Sequence, residues 1–151
     1  MVRLRDGVIV RILGSPGSDN GQFMPGGNSG IAFDVEGNIV VADYYNNRVQ
    51  VLRYIDGVHI RTIGSEGSGA GQFKLPTGVA FDAAGRIVVC DHGNHRMQVL
   101  RYSDGAHIRS VGGSKGSDNG QFSGPLGGIA IDSDGRIVVP DSGNHRVQVL
   151  Y

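Results

Sequence analysis

Asp91-His92-Gly93-Asn94-His95-Arg96-Met97-Gln98-Val99-Leu100 decides the fold. A tight turn built on Asp, Gly and Asn runs into a short strand in which Gln98 interrupts Met97, Val99 and Leu100. Its second half returns at Asn144 to Leu150 and, as Asn-Asn-Arg, at Asn46 to Leu52, so the spacing is 48 and then 50 residues. Other landmarks travel with it: Gly-Gln-Phe at Gly21, Gly71 and Gly120, Asp-Gly at Asp6, Asp56 and Asp104, and a strand-ending aspartate at Asp43, Asp91 and Asp141. A period in this range marks a repeat architecture.

Composition supports many short strands over long helices. The 151 residues include 26 glycines and no tryptophan, and no helix of useful length can be drawn. Fourteen basic and fourteen acidic residues give zero formal charge, which predicts no general affinity for nucleic acid or acidic membranes. No stretch is apolar for long enough to span a bilayer, and Arg3, Arg5 and Asp6 interrupt any signal-peptide core, so a cytoplasmic, membrane-free protein is expected. The one cysteine, Cys90, occupies the place of Ala42 and Pro140 and reads as a small buried strand residue.

Within one repeat, the runs Gly78–Asp82, Arg86–Cys90, Arg96–Tyr102 and Ala106–Val111 are separated by turns bearing Gly or Asp. They read as a four-stranded antiparallel meander. The first two runs are apolar on both faces and the fourth carries His107, Arg109 and Ser110, so burial is expected to fall from the first strand to the fourth. That gradient suits a propeller blade with its first strand at the centre and its fourth at the rim. Length differences between repeats fall in the Gly- and Ser-rich segment joining fourth strand to next first strand, which marks that loop as surface and a candidate binding face.

From Gly71 to Leu100 the order Gly-Gln-Phe, Pro-Thr-Gly-Val-Ala-Phe-Asp, Gly-Arg-Ile-Val-Val-Cys-Asp and Asn-His-Arg-Met-Gln-Val-Leu resembles the NHL repeat. Three such copies cover nearly the whole chain. The resemblance implies a β-propeller, usually of six blades, whose face receives a protein or, in several members, single-stranded RNA.

The ends of the sequence add a further expectation. Residues 2–14 align with a fourth strand, complete blades fall at about 28–64 and 77–112, and 127–151 ends after a third strand. The expected fold class is therefore all-β: three four-stranded blades per chain, circularly offset, completed to six by homodimerisation. Each chain is expected to donate Val8 to Leu13 to the last blade of its partner. A homotrimer of nine blades is the second choice, because propellers usually have four to eight. An excised or designed fragment is also compatible with such similar repeats. Exposed flanks of even ~1,000 Å² would favour association by roughly 25 kcal/mol before association costs.

Chemistry-bearing residues divide into two groups. Asp43, Asn46 and Arg48, with their counterparts Asp91, Asn94 and Arg96 and Asp141, Asn144 and Arg146, read as a structural turn motif. His92, His95 and His145 add metal-ligand types, but histidines of different blades are expected too far apart to share one ion, and no metal or cofactor is expected. The second group is where repetition breaks. Tyr44 and Tyr45 replace His92-Gly93 and Ser142-Gly143, at a place where glycine suggests a positive φ that would cost Tyr45 about 1 kcal/mol. With Asn28, Lys74 and Lys115 they form the candidate ligand-binding set.

No nucleophile, base and acid can be assembled, so a non-enzyme is expected. The function expected from sequence is a self-assembling scaffold for a protein or peptide. An RNA-binding module is second, because only Lys74 and Lys115 are basic in the loop beside the channel mouth, and a metal-dependent lyase or hydrolase is third.

Overall fold

A computed structural model describes residue 9 and residues 11–151. The first elements among the described residues are a two-residue parallel pair, β1 (Ser15–Pro16) on β2 (Gln22–Phe23). Blade one is the antiparallel sheet β3 (Asn28–Phe33), β4 (Ile39–Asp43), β5 (Arg48–Leu52) and β6 (His59–Ile63). Blade two repeats the order with β7 (Pro76–Phe81), β8 (Ile87–Asp91), β9 (Arg96–Leu100) and β10 (His107–Gly112). Among the described residues the third sheet has three strands, β11 (Ala130–Ile131), β12 (Ile137–Asp141) and β13 (Arg146–Leu150), with β13 at its edge.

The sheets stack through two apolar layers. Val40, Ala42, Val49, Val51 and Ile63 of blade one meet Phe73 and Val79, Ile87, Val89 and Leu100 of blade two. Val88, Cys90, Met97 and Val99 of blade two meet Phe122, Ile137 and Val139 in the same manner. Phe73 and Phe122 of the Gly-Gln-Phe motif are fully buried, which explains why that motif keeps the repeat period.

Glycine allows the first strands to approach. A methyl group on Gly30 would lie 2.6 Å from Gly78 Cα, and one on Gly78 would lie 2.7 Å from Gly127 O. At Gly128 a methyl group meets nothing within 4 Å.

Burial does not fall steadily from first strand to fourth. It peaks in the middle strands, with β8 buried throughout and β5 and β9 buried after their first residue. Each middle strand has a paired strand on either side; β8 and β9 have a sheet above and below, and β4 and β5 have blade two on one face and Phe23 on the other, whereas β10 carries only half-exposed and exposed residues at the rim. In blade one the first strand is open as well: Ile31 is 60% exposed where its counterpart Val79 is 5% exposed, and Phe33 is 58% exposed where its counterpart Phe81 is half-buried.

The expected strand over residues 2–14 falls largely on residues 1–8 and 10, which lie outside the described residues. Residue 9 and residues 11–14 are not in a strand.

Candidate functional site

The repeated turn is organised around a buried carboxylate. Asp91 is fully buried and Arg96 Nε donates to its Oδ2 at 2.7 Å, joined by Gln98 Nε2 at 3.0 Å and Asn94 Nδ2 at 2.9 Å. Lys74 N–H fills Oδ1 at 2.8 Å. Asp43 with Asn46, Arg48 and Gln50, and Asp141 with Asn144, Arg146 and Gln148, reproduce the arrangement. Asp141 is held below the ordinary carboxylate value. Burial pushes it up, but hydrogen bonds from Asn144, the Ser123 N–H, Arg146 and Gln148 outweigh that.

These donors do more than close a hairpin. Asn94 Nδ2 reaches Gly67 O, Arg96 Nη2 reaches Gly69 O and Gln72 O, and Gln98 receives Gly71 N–H while donating to Gln72 O. The motif therefore clips the long loop of the preceding blade onto the turn of the next. Gln50, Gln98 and Gln148, which sequence reading left as interruptions in an apolar strand, complete this clip. Their signal was a polar residue at one fixed place in all three repeats, between apolar neighbours.

A second clasp lies on the same face. Leu75 N–H donates to Asn47 Oδ1 and Gly124 N–H donates to His95 Nδ1 at 3.0 Å. His92 Nδ1 donates to Pro125 O at 3.0 Å. These bonds engage Nδ1 of both His92 and His95 and the clip engages the aspartates, and among the described residues no group of three or more His, Cys, Asp or Glu side chains is placed to hold a metal.

The expected positive φ is found elsewhere. Asn47, His95 and His145, not Gly93 and Gly143, adopt the left-handed conformation, with φ of 54°, 53° and 53°. Gly93 is small because Lys74 crosses it: a methyl group there would lie 2.6 Å from Lys74 Cγ. Tyr45 is accommodated in blade one because the crossing loop is longer there and places Gly27 against the ring. The strain assigned to Tyr45 is therefore absent.

Tyr44 and Tyr45 stand edge to face at 4.8 Å, and Tyr44 lies 6.2 Å from the His92 ring in the next blade. Tyr45 is 53% exposed, and Lys74 and Lys115 are exposed. His95 is held below the ordinary histidine value, first by burial and then by the nearby charges of Lys115, His92 and Lys74. Tyr44, Lys74 and Lys115 are thus gathered around two histidines on the loop face. Asn28 pairs with Asp43 through its backbone, and its side chain lies outside the described residues.

Cys90 is inert by construction. Burial pushes its thiol up to about 12, even though Thr77 Oγ1 donates to Sγ at 3.0 Å.

Antiparallel blades stacked through their faces, with every interblade loop clipped to the following turn, define a β-propeller. The family model of the NHL repeat matches residues 29–52, 73–100 and 126–150, about half of the chain. The chain belongs to the NHL-repeat family.

Solved structures share the fold. A catalytically inactive virginiamycin B lyase from Staphylococcus aureus with quinupristin is 13% identical, with a TM-score of 0.62 over 90% of this chain and 40% of that one. A gluconolactonase from Xanthomonas campestris is 22% identical, with a TM-score of 0.62 over 82% and 43%. The WD40 propeller domain of Doa1 is 15% identical, with a TM-score of 0.58 over 81% and 36%. The chain thus spans about two-fifths of the length of these structures. No curated protein matches the sequence. Two of the three structures are enzymes, which corrects the expectation of a non-catalytic protein: this fold carries lyase and lactonase chemistry in its neighbours and gives no ground for excluding catalysis. No helix of the described residues is long and apolar enough to cross a membrane.

Proposed function

We propose that this chain is a self-associating propeller segment whose assembled ring presents its loop face to a protein or peptide. One comparison carries the reading. Val147 and Val149 of β13 are 64% and 58% exposed, while their counterparts Met97 and Val99 are 0% and 2% exposed beneath the next blade. The opposite flank repeats the contrast at Ile31 and Phe33. Each open flank has the chemistry that a neighbouring blade covers inside the chain, so a second copy supplies a matching surface for both. Two copies provide six blades and three provide nine; the usual size range favours two.

The ligand face is the one bearing Tyr44, Tyr45, Lys74 and Lys115. Exposed aromatic rings beside lysines favour a peptide with apolar and acidic side chains. The same pairing of a stacking ring with basic groups supports single-stranded RNA as the second reading.

Titration of the ring with fluorescent acidic and basic peptides, and with single-stranded RNA at low and high salt, separates the two. Binding of acidic peptide that falls at least tenfold in a Tyr44→Ala, Tyr45→Ala variant supports the first. Salt-sensitive RNA binding without peptide binding replaces it with the second.

A further inference from the structure

We propose that Ile9 and residues 11–13 of one copy pair as a fourth strand with β13 of a second copy, in the register that β6 holds on β5 and β10 on β9. This rests on the ring reading above and specifies how its seam is made.

Three relationships show what residues 11–23 are. Arg61 stacks 4.0 Å from the Tyr102 ring in the next blade; Arg11, its counterpart, lies 5.2 Å from the Tyr54 ring and donates to Tyr54 O at 2.9 Å. Ile63 lies against Gly105 and Leu13 lies against Gly57. Pro16 pairs with Phe23 in parallel, as Glu66 pairs with Phe73 and Lys115 with Phe122. Residues 11–23 therefore sit on blade one as 61–73 sit on blade two. They occupy the place of an outer strand and loop from a preceding blade.

Among the described residues no sheet stands in the place of that preceding blade. Blade two separates blade one from the third sheet, so β13 and Arg11 stand on opposite flanks. Among the described residues β13 has no partner on its outer side and residues 9 and 11–14 are in no sheet. Ile9 and Ile12 are 74% and 80% exposed. An edge lacking an outer strand and an outer strand lacking an edge, both in one sequence, fit a second copy in alternation.

The internal repeats supply the register. Val49 pairs with Ile63, Gln50 with Thr62, Val51 with Arg61 and Leu52 with His59, and blade two follows the same scheme with a shift before its last pair. Carried to the seam, this places Leu13 opposite Val147, Ile12 opposite Gln148, Arg11 opposite Val149 and Ile9 opposite Leu150. Arg11 then joins the second copy's last blade to blade one of its own chain, as Arg61 joins blade one to blade two.

Directly opposed residues of an antiparallel pair are close enough for a disulfide, whereas residues two or three places out of register are not. The test is an Ile9→Cys, Leu150→Cys variant, with Ile12→Cys, Leu150→Cys as the mismatched control, oxidised and run without reductant. Light scattering of the reduced proteins is measured in parallel. The expected result is a chain-to-chain crosslink as the main product of the first variant and at least tenfold less from the second. Associated protein with no crosslink, or with equal crosslinking of the two, overturns the strand exchange while leaving association standing. A folded monomer overturns both.

Discussion

The hydroxyl of Tyr102 donates to Asp34 Oδ2 at 2.8 Å, tying the third-to-fourth strand turn of blade two to the first-to-second strand turn of blade one. The bond spans 68 residues of sequence and sits beneath the Arg61 guanidinium. Burial raises the phenol to about 12, so it remains a proton donor at neutral pH. It fastens the face opposite the clip, so the junction of blades one and two is held at both ends.

Tyr102→Phe keeps the ring under Arg61 and against Phe81 but removes the donor. The expected loss is on the order of 1 kcal/mol, because the pair is only partly buried and water replaces the hydroxyl at Asp34. A urea midpoint unchanged from the parent contradicts this role.

Removing the carboxylate from the clip costs more. Asp91→Ala leaves Arg96, Gln98 and Asn94 without their shared acceptor in a buried site, an expected loss of about 3–5 kcal/mol. The fold of so small a chain is at risk, so circular dichroism with temperature accompanies the milder Arg96→Lys variant. That change keeps the charge but loses the forked contacts to Gly69 O and Gln72 O, and a smaller loss is expected.

Acid weakens the fold in two stages. Folding lowers the pKa of His95 from 6.5 through burial and nearby charge, and that of His59 through burial and Arg48. A lowered folded-state value means the folded form favours the neutral ring. That stability is fully present above about pH 6.5 and is lost as pH falls through the folded-state values. Asp141, lowered from 3.8, contributes stability present above that pH and lost as pH falls below it. Urea midpoints at pH 8, 5 and 3 should fall at each step, and His95→Gln, which keeps an acceptor for Gly124 N–H, should shrink the first. A flat profile between pH 8 and 5 contradicts this account.

Cys90 should resist thiol reagents at pH 7.5 in the folded protein and react when urea unfolds it, because its thiol is buried and raised to about 12. Stoichiometric labelling of the native protein is the opposing result.

Gly128 provides a test specific to the open flank. A side chain there meets open space within the chain, while the equivalent place at Gly30 is closed by Gly78. Gly128→Val should leave the circular dichroism spectrum unchanged and weaken self-association at least tenfold. Gly30→Val should reduce stability directly. Equal effects on both properties would remove the case for a blade docking at Gly128.

The repeat, its four-stranded order and its family were legible because Gly-Gln-Phe and Asn-His-Arg-x-Gln-Val-Leu return at nearly constant spacing, and spacing survives translation into strands. What Gln98 and Asn94 do was not legible, because their partners Gly67 O, Gly71 N–H and Gln72 O belong to a loop more than twenty residues earlier. Gly93 misled for a related reason. Glycine is selected both by positive φ and by close approach, and only the crossing of Lys74 distinguishes them. The exposed Ile31 carries the same apolar pattern as the buried Val79, so residue type does not distinguish an open first strand from a covered one, and only the order of the blades pointed to the flanks.

Solution mass by light scattering across a dilution series tests the central claim most directly. A mass near twice the 15.9 kDa of one chain, persisting on dilution, is the result expected of a ring closed by two copies. A folded species at the mass of one chain, with Val147, Val149, Ile31 and Phe33 left in water, would contradict it.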